Sequence, residues 1–103
     1  MKLIFLGTGT STGIPTIGID KPVCSSPDPK DVRMRSSVLL QIGEKNILID
    51  CSPDFRQQML KSKVSKIDAI LFTHEHSDHT AGLDDVRPIS LSMEKFQFLL
   101  IKE

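Results

Sequence analysis

The feature that most constrains the fold is a buried-strand signal that runs directly into a cluster of histidines. Ala69-Ile70-Leu71-Phe72 is an unbroken apolar run, the pattern of a strand buried on both faces of an α/β sheet. Residues 73–79, Thr-His-Glu-His-Ser-Asp-His, follow at once and contain all three histidines of the chain. Because open α/β sheets place ligand sites beyond the C-terminal ends of their strands, the sequence predicts a site here.

The spacing within this cluster indicates metal binding. Imidazole nitrogen and carboxylate oxygen are the ligands of zinc and similar divalent cations. His74 and His76 are two residues apart, so they project alike from an extended segment and can reach one metal ion. Asp78 and His79 then turn toward a second position. The alternative is a polar surface turn that is rich in histidine by chance, but chance would scatter three histidines along the chain.

The remaining pattern predicts one sheet with a long loop near its start. The predicted strands cover residues 2–7, 37–42, 46–50 and 67–73, with an edge strand over 95–101, and residues 43–45 turn a hairpin between the second and third. Pro53 is predicted to open a helix that runs to about Lys61, and residues 80–85 to form a short helix. Residues 8–35 form a loop rich in Gly, Pro, Ser and Thr. A loop of that length is unusual unless it is functional or tied by a metal.

The start of this loop admits two interpretations. Gly7-Thr8-Gly9 follows a strand, but the third glycine stands at position 13 rather than 12, and Pro15 interrupts the helix that a dinucleotide fingerprint needs. No Gly-Lys-Ser/Thr of a P-loop follows either. One remaining interpretation is a loop that approaches the metal site and offers donors to a substrate from Thr8, Thr10 and Ser11. The other is a tight glycine turn at the end of a strand.

Several segments together resemble a known family. The hydrophobic strand followed by His74-Glu75-His76-Ser77-Asp78-His79 resembles the metal motif of the metallo-β-lactamase-fold hydrolases. The segments FLGTGTSTGIP (5–15), RMRSS (33–37), IDCSPDFRQQ (49–58) and AGLDDVRP (81–88) resemble a branch of them. That branch contains the phosphoribosyl 1,2-cyclic phosphate phosphodiesterases and lies near the transfer-RNA 3′-processing endonucleases.

The resemblance implies an α/β fold with α+β layers. Complete domains of the family are αββα sandwiches of two similar αβ halves, at about twice this length. A chain of this size is long enough for one small domain but not for both halves. The resemblance covers residues 1–89 and therefore implies the N-terminal half, mostly one β-sheet with flanking helices. Residues 90–103 do not resemble the family, and no histidine follows His79 to supply the family's later ligands. We therefore expect a truncated or frameshifted chain that carries half of a site.

The function implied by the resemblance is metal-dependent hydrolysis of a small phosphodiester. Two divalent cations, with zinc expected and manganese as the alternative, would lie about 3.5–4 Å apart and share the attacking hydroxide. His74 and His76 would serve the first cation and Asp78 and His79 the second, with Asp78 also acting as the catalytic residue that orients the water. Half a site is expected to be inactive alone. The alternatives are a non-catalytic fragment that binds metal weakly and a thioesterase or lactonase of the same superfamily.

Asp50 ends the apolar run over residues 47–49, where a charge has to be hydrogen-bonded or paired. The resemblance implies that Asp50 holds the histidine segment in shape, as partners behind metal ligands do. The alternative is an acidic residue near the start of a helix, ahead of Pro53. For Arg33 and Arg35 the alternatives are contact with a phosphate or nucleotide and a solvated or salt-bridged role.

Composition restricts the partners. Thirteen basic and thirteen acidic residues cancel, so nucleic acid and anionic membranes are not expected partners. The apolar run at residues 3–6 is too short for a signal-peptide core, and no stretch approaches a transmembrane length. We therefore expect a cytoplasmic protein. Two cysteines, Cys24 and Cys51, do not make a secreted disulfide framework. An uncovered apolar sheet face, where a second half would pack, predicts self-association.

Overall fold

The computed structural model describes residues 1–92 and 97–100, with side chains through Ile89. Five strands form one sheet in the order β1-β2-β3-β4-β5. The strands are β1 Lys2–Gly7, β2 Ser37–Ile42, β3 Lys45–Ile49, β4 Ala69–Phe72 and β5 Gln97–Leu100, and the α-helices are α1 Phe55–Ser62, α2 Ser77–Thr80 and α3 Arg87–Ser92. The first three strands are antiparallel, whereas β3, β4 and β5 run parallel. None of the described helices has the length and apolarity needed to cross a bilayer.

This architecture confirms the predicted fold class, with small shifts at the element boundaries. Strand β3 ends before Asp50, whose φ of 63° takes the chain out of the extended conformation. Helix α1 begins at Phe55 rather than Pro53, because residues 52–55 first form a turn in which Phe55 N–H donates to the Ser52 carbonyl. Of the predicted edge strand over 95–101, residues 97–100 form β5, and 95, 96 and 101 lie outside the described residues.

The predicted helix over residues 80–85 is wrong. Helix α2 ends at Thr80, and a separate 3₁₀ turn covers Leu83–Val86. Gly82 N–H, which lies between them, donates to the carbonyl of Cys51 at 3.1 Å instead of continuing a helix. The local sequence pattern does not contain this contact with a distant loop, so periodicity could not place the break.

One face of the sheet packs against α1. Residues Leu39, Leu48 and Ile70 are paired across β2, β3 and β4, and all three are fully buried. Phe55 and Met59 are four apart on α1 and belong to the same apolar core. Burial of these side chains is the main stabilising term and holds α1 against this face of the sheet.

The opposite face carries two more apolar rows. Side chains alternate between the faces of a strand, so the pairing register places the two rows on the face away from α1: Leu3, Leu40, Ile47 and Ala69, then Phe5, Val38, Ile49 and Leu71. Leu3 is 52% exposed and Phe5 is 66% exposed. An exposed apolar surface of this kind is characteristic of a face that packs against another layer.

The start of the long loop over residues 8–35 is hydrogen-bonded to the end of the same loop, just before β2. Gly9 N–H donates to the Met34 carbonyl at 2.7 Å, and Ile14 and Arg33 exchange two backbone hydrogen bonds of 2.8 Å. A Cβ on Gly7 would lie 2.0 Å from the Arg35 carbonyl oxygen, and one on Gly9 would lie 2.7 Å from the Arg33 carbonyl oxygen. The two glycines are therefore required for close backbone approach, which is their structural role.

Candidate functional site

The predicted ligand segment lies just past the C-terminal end of β4. Strand β4 ends at Phe72, the chain bends at Thr73 and continues without regular secondary structure through His76, and α2 begins at Ser77. This path brings the three histidine rings together, with centroids of His74 and His76 4.6 Å apart and those of His74 and His79 4.1 Å apart. The cluster is thus a local arrangement of one strand end and one short helix.

Asp50 organises the cluster from the end of the neighbouring strand. Its Oδ1 accepts from Thr73 N–H at 2.8 Å, and its Oδ2 accepts from the Thr73 hydroxyl at 2.7 Å and contacts His79 Nδ1 at 2.6 Å. Only 7% of the Asp50 side chain is exposed. A buried carboxylate needs such partners, because an unpaired charge away from water is strongly destabilising.

The hydrogen-bond network assigns the tautomers of two histidines. Thr73 Oγ1 lies 2.8 Å from His74 Nδ1, and its single hydroxyl hydrogen is directed to Asp50. The hydrogen in that contact therefore comes from His74 Nδ1. His79 Nδ1 likewise carries its hydrogen toward the Asp50 carboxylate. In both rings Nε2 is the nitrogen that the Asp50 network leaves for other partners, as in histidine ligands whose Nδ1 is hydrogen-bonded from behind, and His79 Nε2 lies beside Asp78.

The backbone around Asp50 is itself held in an unusual conformation. Its φ of 63° lies in the left-handed region that non-glycine residues seldom adopt. Asp50 N–H donates to the Leu71 carbonyl at 2.8 Å, and the Ser37 hydroxyl donates to the Asp50 carbonyl at 2.8 Å. These bonds stabilise the turn that aims the carboxylate at Thr73 and His79, and strain of this kind is found at functional sites.

Helix α2 is fastened to the loop that follows Asp50. Cys51 N–H donates to the His79 carbonyl at 2.8 Å, and Gly82 N–H donates back to the Cys51 carbonyl. A Cβ on Gly82 would lie 2.0 Å from the Ser52 carbonyl oxygen, so only glycine allows this approach.

Burial, with smaller contributions from Asp85 and Asp50, raises the pKa of the Cys51 thiol to about 12. Cys51 and Cys24 are both free, and Cys51 is a buried neutral side chain.

The donor atoms present have the chemistry of a zinc site. Asp78 Oδ2 lies 3.1 Å from His79 Nε2, close to the roughly 3.3 Å that separates two ligands of one tetrahedral zinc. Within the described part of the chain, no group of three or more His, Cys, Asp or Glu side chains is arranged to hold a metal ion. Zinc sites use three or four protein ligands. The assignment of His74, His76, Asp78 and His79 as ligands stays a prediction, and the chemistry of these donors suits zinc.

A cleft of about 340 Å³ lies beside Asp78. It runs between the 11–17 segment and the start of α2, and Arg35 and Pro53 also line it. Of the predicted substrate-loop residues, Ser11 lines this cleft. Thr8 does not line this cleft, and its hydroxyl accepts a hydrogen bond from Arg33 at 2.8 Å. Thr10 is exposed, and its carbonyl accepts from Gly13 N–H at 3.0 Å.

Sequence reasoning missed three residues of this site. The Thr73 hydroxyl links Asp50 to His74, and its place directly before the first histidine was the available signal. Asp54 pairs with Arg35, with Nε 3.0 Å from Oδ2; no local pattern indicates this pair, which is separated by 19 residues. Gly82 was placed inside the predicted helix over residues 80–85, whereas the structure shows a close contact between two backbones there.

A family model described as the β-lactamase superfamily domain matches residues 45–101, more than half of the chain. This chain belongs to that superfamily. The metallo-β-lactamase-fold resemblance of the sequence motifs is confirmed. The matched range runs past residue 89, and the predicted division between residues 89 and 90 stays a prediction.

Three relatives give the range of similarity. A solved structure of a new diphosphatase from the PhnP family is 52% identical, with a TM-score of 0.90 over 93% of this chain and 40% of that one. The octanoyltransferase of Porphyromonas gingivalis is 54% identical over 86% of this chain and 18% of that protein. Ribonuclease Z of Listeria innocua is 36% identical over 94% of this chain and 27% of that protein. The chain thus spans well under half the length of each.

Proposed function

We propose that this chain provides the first part of the metal site of a metallo-β-lactamase-fold phosphoric-ester hydrolase. The observation that carries the proposal is the Asp50 network, which holds His74 and His79 through their Nδ1 side and leaves His79 Nε2 next to Asp78. A buried carboxylate that orients imidazole ligands from behind is the usual support of a metal centre. The diphosphatase and the ribonuclease are both named for cleavage at phosphorus, which favours a phosphoric ester or anhydride as substrate.

Each predicted ligand would have a distinct role in binding two divalent cations, with zinc as the first choice and manganese as the alternative. His74 and His76 would bind one cation, while Asp78 and His79 would bind the other. The cations would supply Lewis acidity and an activated water nucleophile. Asp78, at 23% side-chain exposure and beside the cleft, is also placed to orient that water.

For the 103-residue chain alone we propose weak metal binding and negligible turnover. The absence of a three-ligand group among the described residues favours this non-catalytic state of the isolated chain. Calorimetric titration with zinc should show weak binding that disappears in His76→Ala and persists in Glu75→Ala. Glu75 is a matched control, because it is an exposed residue between two predicted ligands. Tight binding of two zinc ions per chain would contradict the partial-site argument.

The activity itself is tested with a chimera. Residues 1–89 would be joined to the corresponding remainder of the PhnP-family diphosphatase, which is 52% identical in the shared part. We expect metal-dependent hydrolysis of a chromogenic phosphodiester, lost in His76→Ala and Asp78→Ala and kept in Glu75→Ala. A folded chimera that cleaves thioesters or lactones but no phosphoric ester would assign the site to the other hydrolase class.

A further inference from the structure

The cleft beside Asp78 is lined by an arginine that the ligand assignment does not use. Arg35 lines this cleft, as do Ser77, Asp78, Ser11 and Thr12. The side chain of Arg35 is 26% exposed, so its guanidinium is partly desolvated while still reachable. A partly desolvated guanidinium beside hydroxyl groups is a typical setting for binding an oxyanion.

Arg35 is held in place by three contacts. Its Nε lies 3.0 Å from Asp54 Oδ2, which also accepts from the Arg35 backbone N–H at 2.9 Å. Its NH1 donates to the Thr12 carbonyl at 3.3 Å. Gly13 lies over the side chain, where a Cβ would be 3.4 Å from Arg35 Cδ. The guanidinium is therefore oriented before any ligand arrives, which lowers the entropy cost of binding.

The guanidinium keeps donors that its contacts with the described residues do not engage. A guanidinium has five N–H donors, and the contacts with Asp54 and Thr12 engage two of its three nitrogens. The planar fork of Arg matches the oxygens of a phosphoryl group. Because Asp54 balances the charge of Arg35, recognition would rest on directed hydrogen bonds more than on net charge.

An apolar contact lies on the same cleft. Ile17 lines it and is 98% exposed, and the ring of Pro53 adds apolar surface to the wall. Exposed apolar side chains beside a polar subsite favour a ligand whose charged group carries an apolar substituent.

We propose that this cleft is the subsite for the phosphoryl group of the substrate, with Arg35 as its main donor and Ile17 as the contact for an apolar organic substituent. The inference rests on the proposed function and narrows the substrate class to phosphoric esters that carry such a substituent. Arg35 positions the phosphoryl group next to Asp78, and Asp54 positions Arg35.

The test uses the 103-residue chain without metal, so its outcome is independent of the hydrolysis assay. Inorganic phosphate and phenyl phosphate are titrated into the 15N-labelled protein, and NMR follows the Arg35 Nε–H and the amides of Ser11 and Thr12. We expect saturable shifts with dissociation constants in the ~1 mM range, and several-fold tighter binding of phenyl phosphate. Arg35→Gln should weaken binding about tenfold or more. Arg35→Lys, which keeps the charge and loses the fork, should give an intermediate loss.

Arg33→Gln is the matched control, because Arg33 is an exposed neighbour whose contacts are to Thr8 and the Lys30 carbonyl. It should leave both titrations unchanged, and Ile17→Ser should remove only the advantage of phenyl phosphate. Equal loss in Arg33→Gln, shifts centred on Arg33, or no saturable shift at all would overturn the proposal. An advantage of phenyl phosphate that survives Ile17→Ser would overturn the assigned role of Ile17.

Discussion

Replacing Asp50 by Asn tests whether its carboxylate fixes the histidine tautomers. The carboxylate accepts three contacts, two from Thr73 and one from His79. An asparagine has one acceptor oxygen, so with that oxygen on Thr73 N–H its amide N–H₂ faces the Thr73 hydroxyl and His79 Nδ1. The Thr73 hydroxyl then turns its hydrogen toward His74. Both rings would move their hydrogen from Nδ1 to Nε2.

The expected magnitudes follow from the number of inverted contacts. Hydrogen bonds to charged groups contribute about 1.5–3 kcal/mol each. In two of the three contacts the donor and the acceptor would exchange roles, and the new neutral hydrogen bonds would restore part of the lost stability. The free energy of unfolding should therefore fall by about 3 kcal/mol. Zinc affinity should fall by about 10–100-fold. Urea unfolding measures the first, calorimetry the second, and histidine 15N chemical shifts report the tautomers directly.

Two variants separate the site effect from a general loss of stability. Thr73→Val removes the hydroxyl contacts to Asp50 and to His74 but keeps Asp50 against His79 Nδ1, so His79 should keep its tautomer. Asp68→Asn is the matched control, since that carboxylate accepts from Asn46 N–H at the opposite end of β3 and β4. It should leave both histidine tautomers unchanged. Retention of the Nδ1–H form of both rings in a folded Asp50→Asn protein would refute the reasoning.

Three further outcomes are expected. Gly82→Ala should destabilise the fold by about 3 kcal/mol through its backbone clash, whereas Gly43→Ala, with open space at a φ of 58°, should cost only about 1–2 kcal/mol in urea unfolding; equal costs would contradict the clash. The Asn46 N–H bond lowers the pKa of Asp68 below its ordinary 3.8, so Asp68 stabilises the fold above that value and this contribution is lost as the pH falls through the lower folded pKa. The stability difference between wild type and Asp68→Asn should therefore be constant above about pH 4 and shrink below it; a difference that grows in acid would be the wrong sign. The 103-residue chain should self-associate with a second copy through its apolar sheet face, and light scattering should show less association for Phe5→Lys; a monomer at every concentration would count against this.

The sequence alone was sufficient for the elements whose signal is local. The apolar run over residues 69–72 predicted β4, and the hairpin pattern around residues 43–45 predicted β2 with its observed bounds. The histidine spacing placed the candidate ligands at a strand end, where the structure has them. Short-range periodicity is reliable there because burial on one or two faces selects those side chains directly. The break at Gly82 escaped it, because contact with a distant carbonyl decides where that helix ends.

Only the tertiary structure decided how the site is assembled. Asp50 and His79 are 29 residues apart, and Arg35 and Asp54 are 19 apart; parallel pairing of β3 with β4 brings Asp50 beside Thr73. The tautomers of His74 and His79, the pairing of Arg35 and the cleft between Ser11 and Asp78 follow from these long-range contacts. The sequence by itself determined which groups could do chemistry at a strand end. The directions of these side chains depend on backbone geometry such as the left-handed conformation of Asp50. Hydrogen-bond direction is set by where distant segments meet, and no local periodicity carries that information.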